Sequence, residues 1–168
     1  HKSGNMQLAV YNVLGQNTGQ GNVAIGHSIM ESSTTAFQNV AVGAALNGIR
    51  TGGGNVALGH NCMGNISGST SYTVAAGYEA LRYTGYQPGA SDAYNVGIGA
   101  LAGKYASGSY NTFVGGKAGQ GGTTSAPYSS GQNNTALGYQ ALTAFTTGEA
   151  NTVVGYQAGD AITTAGYN

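Results

Sequence analysis

Asn134-Thr135-Ala136-Leu137-Gly138-Tyr139-Gln140-Ala141-Leu142 is followed, 17 residues on, by Asn151-Thr152-Val153-Val154-Gly155-Tyr156-Gln157-Ala158. Earlier in the chain the phrase stands as Asn22-Val23-Ala24-Ile25-Gly26, Asn39-Val40-Ala41-Val42-Gly43 and Asn55-Val56-Ala57-Leu58-Gly59. A short phrase recurring at a near-constant step marks a solenoid, in which each repeat is one coil and only the stack buries a core. The leading Asn falls at 5, 22, 39, 55, 95, 111, 134, 151 and 168, and Thr73 takes its place once. The steps of 17, 17, 16, 18, 22, 16, 23, 17 and 17 predict one repeat array over 1–168, with coils starting near 5, 22, 39, 55, 73, 95, 111, 134 and 151. The chain opens at His1-Lys2-Ser3 and closes in mid-pattern at Tyr167-Asn168, which reads as a piece of something longer.

The columns of the repeat predict a strand. The first position after the Asn is Val in five coils and then Thr112, Thr135 and Thr152. The third is Ile25, Val42, Leu58, Ala76, Ile98, Val114, Leu137 and Val154. Positions two apart share one face of a strand, and the β-branched bias suits a strand better than a helix. We read these two columns as the inward row. The mostly Ala column between them would then lie on the second face, against the next strand of the coil or a neighbouring chain. Gly follows the strand at Gly26, Gly43, Gly59, Gly77, Gly99, Gly115, Gly138 and Gly155, as expected of a bend with positive φ or close backbone approach. The structural ladder is assigned to these glycines and to Asn22, Asn39, Asn55, Asn95, Asn111, Asn134 and Asn151. The Asn side chains either bond to one another along the rod or cap their own turns; the sequence leaves both open.

Composition narrows the partners. Charged residues make up 6% of the chain and the net charge is zero, so the basic surface that nucleic acid or an acidic membrane demands is missing. No apolar run approaches the roughly 20 residues that span a bilayer. Cys62 stands alone, in the column of Ala80, Ala102, Ala118 and Ala141, and reads as a small buried hydrophobe. The acids Glu31, Glu79, Asp92, Glu149 and Asp160 are scattered over different coils, and no Ser/His/Asp order or metal-ligand spacing is present, so no catalytic residue, metal site or cofactor is assigned. A thin coil buries few side chains for the residues it orders, which predicts a second packed surface. We expect an oligomer with the Ala and Gly columns at the contact between chains.

Two long steps interrupt the rhythm. They predict loops at 83–94 and 121–133, which hold both prolines and four tyrosines, Tyr83, Tyr86, Tyr94 and Tyr128. Insertions in a solenoid collect on one face, often the binding face. Tyr rings stack on sugar faces while amides and hydroxyls bond the sugar's edges. The candidate ligand-binding residues are therefore Tyr83, Tyr86, Tyr94 and Tyr128, with Tyr139 and Tyr156 from the column after the glycine, which otherwise reads as a packing ladder.

The runs Gly148–Ala158 and Asn134–Leu142 resemble the NTAIGYQAL repeats of phage and algal-virus tail fibres, and are similar to the SVAIG repeats in the heads of trimeric autotransporter adhesins. The resemblance covers nearly the whole chain. It implies a left-handed parallel β-roll or β-helix, with three chains side by side, outside a virion or on a bacterial surface. Adhesin heads favour Ser where this chain has Asn, and repeat at a slightly shorter period, which favours the viral fibre.

The expectation is thus an all-β parallel β-solenoid of about nine 17-residue coils, in a homotrimeric fibre. Its role would be non-enzymatic attachment to a host cell or glycan receptor, at the virion tail fibre or the bacterial cell surface. A purely structural shaft or spacer is the alternative. A third reading is an ice-binding β-solenoid, suggested by the alignment of Thr112, Thr135 and Thr152.

Overall fold

The computed structural model describes residues 8–10, 17–66, 68–86 and 93–168. The strands are β1 (Leu8–Val10), β2 (Val23–Gly26), β3 (Val40–Ala44), β4 (Val56–His60), β5 (Val74–Ala76), β6 (Val96–Ile98), β7 (Thr112–Val114), β8 (Thr135–Leu137) and β9 (Thr152–Val154). All lie in one parallel sheet in the order of the chain. Pairing follows the repeat: Val23 meets Val40, Val40 meets Val56, and Ile25, Val42 and Leu58 stand one over the next. The same register carries through to Leu137 over Val154. The protein is an all-β parallel β-solenoid, and the eight strands from β2 to β9 enclose seven turns. Of the coil expected near residue 5, residues 8–10 and 17–21 lie within the described residues.

The face of the strand is opposite to the one expected, and this corrects the reading of the columns. Ala24, Ala41, Ala57, Ala75, Phe113 and Ala136 are fully buried, whereas Ile25 is 39% exposed, Leu58 41% and Val154 65%. The Val/Ile/Leu row is continuous, but it points outward. The Ala column therefore packs inside its own coil and is not the surface offered to another chain. The reason is parity. Asn22, Asn39, Asn55, Asn95, Asn111, Asn134 and Asn151 are all fully buried. A residue two places after a buried Asn must point the same way on a strand.

The Asn column holds the coils at a fixed height. The Oδ1 of one Asn accepts the backbone N–H of the next, at 2.7–3.1 Å for the N–H groups of Asn39, Asn55, Asn111, Asn134 and Asn151. It also accepts the next side-chain amide at 2.9–3.2 Å at Asn39, Asn55, Asn134 and Asn151. Each Nδ2 further donates to the carbonyl that ends its coil, as from Asn39 to Gly52 at 3.1 Å and from Asn134 to Gly148 at 3.0 Å. One side chain thus links coils and closes a turn, which leaves its buried polar atoms satisfied. At Thr73 the ladder changes hands. Asn95 reaches the Thr73 hydroxyl at 3.4 Å by its N–H and the Thr84 hydroxyl at 2.8 Å by its amide.

After the strand the chain turns on itself repeatedly. Successive N–H groups alternate between bonds three residues back and bonds to a neighbouring coil. Ala102 donates to Gly99 and Lys104 to Leu101, while Leu101 donates to Tyr78 and Gly103 to Ala118. This geometry needs positive φ at every second position. It is met by Glu79 at +52°, Leu81 at +49°, Gln140 at +58° and Leu142 at +53°. Non-glycine residues there cost about 1–2 kcal/mol each, offset by the bonds to the next coil. The glycine after the strand is stricter. At Gly138 φ is +130° and an added Cβ would stand 2.4 Å from the Gly155 carbonyl oxygen.

Core volume is balanced between two columns, within a coil or between neighbours: Gly97 and Gly103 share one coil, and Leu81 and Phe113 of the adjoining coils fill the space. Ala75 faces a coil that carries Leu81, and Ala136 one that carries Leu142; Phe113 shares its coil with Gly119, where an added Cβ would meet the Phe113 ring at 2.1 Å. Phe113 in turn packs on Phe145, with ring centroids 5.6 Å apart. Cys62 is buried in this core, its thiol 3.2 Å from the Ala75 carbonyl, and burial pushes it up to about 12, so it stays a protonated thiol.

Candidate functional site: a tyrosine cluster at one corner of the coil

Four tyrosines meet at one corner. Tyr83 stacks on Tyr105 at 5.6 Å and on Tyr128 at 4.3 Å, and Tyr128 lies 6.2 Å from Tyr105. Tyr86 stands edge-on to both Tyr83 and Tyr128, at 6.3 and 5.0 Å. Three local devices bring them there. Tyr83 and Tyr105 sit ten residues after Thr73 and Asn95, at the same corner of successive coils. Parallel strands are about 4.8 Å apart, so equivalent side chains on adjacent coils stack. Tyr86 follows in a tight turn, its N–H donating to the Tyr83 carbonyl. Tyr128 comes from the second insertion. That loop closes at its base where Ser129 Oγ accepts the Thr123 N–H at 3.1 Å, and Ser129 exchanges backbone bonds with Tyr105 and Ser107. The excursion thereby lays Tyr128 on the stack of the coils below.

Two cations share one carboxylate at this corner. The Glu79 carboxylate pairs with Arg82 and, at 2.7 Å, with Lys104. Desolvation pushes the Glu79 carboxyl up, but Lys104 and Arg82 outweigh it and hold the group below its ordinary value. Desolvation pulls the Lys104 ammonium down, but Glu79 and Tyr105 leave it raised. The same cations lie over the tyrosine rings, with Arg82 5.2 Å from the Tyr83 centroid and Lys104 4.8 Å from that of Tyr105. Burial, with Tyr83 and Tyr86 beside it, raises the Tyr128 phenol, which therefore keeps its proton at neutral pH. The outcome is a partly exposed aromatic wall in which the Tyr128 phenol remains a hydrogen-bond donor.

No protein-family model, curated protein or solved structure matches the chain. The role of this corner is therefore inferred from its own geometry.

The candidate residues read from the sequence separate into three groups. Tyr83, Tyr86 and Tyr128 come together. Tyr94 joins a different ladder, stacked between Tyr72 at 5.1 Å and Tyr110 at 5.4 Å. Tyr139 and Tyr156 stack on each other at 5.8 Å in the column after the glycine, as His60 and Tyr78 do lower down. Tyr105 escapes the sequence reading, because it belongs to a coil of ordinary length. The signal that marks it is its offset from the leading residue, the same as that of Tyr83. Part of the first loop, 87–92, lies outside the described residues. Among the described residues no three of His, Cys, Asp and Glu converge as a metal site would require.

Proposed function

We propose that this chain is a segment of a non-enzymatic surface fibre that attaches to a host cell through a glycan or protein receptor, on a viral tail fibre or a bacterial surface. The observation that carries this reading is the tyrosine cluster. The two steps that break an otherwise even repeat bring Tyr86 and Tyr128 onto Tyr83 and Tyr105, which share one repeat position. A shaft that serves only as a spacer has no use for such a departure, and that is the rival reading. Rigid, half-exposed tyrosines present large amphipathic area with few torsions to freeze, as recognition surfaces require. The resemblance of the repeat to tail-fibre and adhesin-head sequences agrees with it. Adhesion of the purified assembly to candidate host cells is the test. Tyr86→Ala and Tyr128→Ala should weaken it several-fold while the melting temperature stays within a few degrees. Adhesion indifferent to both changes would leave the spacer reading in its place.

The finer architecture belongs to the same proposal: about nine coils, and three copies side by side. The outward Val/Ile/Leu row supports association. Ile25, Val42, Leu58, Ile98, Leu137 and Val154 are all exposed on one face of a single sheet. Contiguous apolar surface of this kind marks an interaction site. The contact between chains is thus moved from the Ala and Gly columns to the Val/Ile/Leu row. One observation also favours ice binding: Thr112, Thr135 and Thr152 share that outward face with the third-position row. A thermal hysteresis measurement separates the two.

A further inference from the structure

We propose that the cleft bordered by Glu31, Asn47, Asn65 and Tyr86 binds one pyranose ring of an uncharged glycan. The proposal deepens the attachment reading and rests on it. The cleft originates in the repeat. At the ninth and tenth positions after the leading residue stand Glu31 and Ser32, then, two coils on, Gly64 and Asn65, then Arg82 and Tyr83. The 16-residue coil between them places Asn47 and Gly48 at this corner. Gly48 and Gly64 leave a gap between longer side chains, and a notch of about 390 Å³ opens along the corner. Gly48 cannot readily be replaced: its φ is +102° and an added Cβ would stand 2.4 Å from the Ile66 carbonyl oxygen. Tyr86, 37% exposed, stands at the border of the notch and also meets Tyr128 edge-on at 5.0 Å. The notch is therefore continuous with the tyrosine wall. A larger hollow of about 510 Å³, lined by Thr18, Gly19, Gln20, Thr35, Phe37 and Gln38, shares no residue with that wall.

The lining matches a sugar. A pyranose offers an apolar C–H face and a rim of hydroxyls that both donate and accept. Tyr86 supplies a ring for the face. The carboxamides of Asn47 and Asn65 and the hydroxyl of Ser32 donate and accept, and the Glu31 carboxylate accepts from two hydroxyls. The volume lies in the range of small-ligand sites, roughly 300–1,000 Å³. Charge then selects among glycans. Glu31 is the one charged side chain among the described residues that line the notch, and the nearby cations Arg82 and Lys104 are held by Glu79. A sialylated, uronic or sulfated ring would meet that carboxylate inside the notch, whereas Arg82 and Lys104, which keep one positive charge over after pairing with Glu79, lie outside its lining.

The test is binding of the intact assembly to tetrasaccharides ending in galactose, glucose, mannose or N-acetylglucosamine, with sialylated and sulfated counterparts beside them. At least one neutral probe should bind, and its acidic counterpart at least about tenfold more weakly. Asn65→Ala and Glu31→Ala should each reduce binding by about tenfold, the loss of one charged or bidentate contact, with unchanged melting temperature. Binding that survives both changes, a preference for acidic probes, or no neutral probe bound at millimolar concentration overturns the proposal. Should Tyr128→Ala abolish adhesion while Asn65→Ala and Glu31→Ala leave it intact, the cleft is excluded and the attachment surface stands. Absence of adhesion by the unaltered assembly removes both.

Discussion

At the scale of single residues, buried amides and one ion-pair group decide stability. Asn39→Ala would leave the Asn55 N–H without its acceptor and the Gly52 carbonyl with only its longer bond, from the Phe37 N–H at 3.4 Å. One orphaned buried donor and one weakened acceptor predict a loss of about 2 kcal/mol, read as a fall in the denaturation midpoint at unchanged slope. The break at Thr73, where the corresponding contact stretches to 3.4 Å and Thr84 takes over the amide, indicates how such a gap is tolerated when a second hydroxyl is near. Glu79 governs the acid side. Despite desolvation, which pushes it up, Lys104 and Arg82 hold its folded value below the ordinary 4.5, so the unfolded chain binds this proton more tightly. Its contribution is fully present above about pH 4.5 and is lost as the pH falls through the folded value. Melting temperatures measured from pH 7 to pH 3 should show the gap between the parent and Glu79→Gln closing in acid; a gap constant across that range would refute the assignment.

At the scale of the element, the informative unit is the coil and its volume. Phe113→Ala removes the ring that fills the space opposite Gly119 and should cost about 3–5 kcal/mol. Gly119→Leu alone places a side chain where the Phe113 ring already stands. Together the two changes reproduce the arrangement of Ala136 with Leu142, whose φ of +53° nearly equals the +52° of Gly119. The double variant should therefore regain most of the stability lost by Phe113→Ala, a coupling a double-mutant cycle measures directly. This exchange was legible in the letters, since large and small residues trade places between two columns. Which columns faced each other was not, because that depends on how many turns separate them in space.

At the scale of the molecule, the outward apolar row asks for a partner. Ile98→Lys puts a charge in the middle of that row without touching the core, as Ile98 is 42% exposed. If copies associate through it, light scattering on the parent should give a multiple of 16.7 kDa, and the variant should fall towards 16.7 kDa with its β-sheet spectrum retained. A parent already at the single-chain mass excludes the trimer. The tyrosine corner is likewise a property of the whole. Tyr105 and Tyr128 are 23 residues apart, and only the return of the second loop at Ser129 sets one on the other.

The repeat by itself determined the parallel stack and its register, because equal spacing leaves one in-register pairing that satisfies every backbone group. It also marked two interruptions of the rhythm, at 83–94 and 121–133, from which Tyr86 and Tyr128 come. The tertiary structure decided which face of the strand is inside. Hydrophobicity pointed to the Val/Ile/Leu row, but a thin coil mostly holds small side chains on the strand, Phe113 being matched by Gly119, and reserves its remaining polar interior for the Asn ladder. Parity then sends the bulky row to the surface. It also decided that Tyr94, Tyr139 and Tyr156 stack in ladders of their own, since an aromatic side chain joins the neighbour one strand spacing away in its own column.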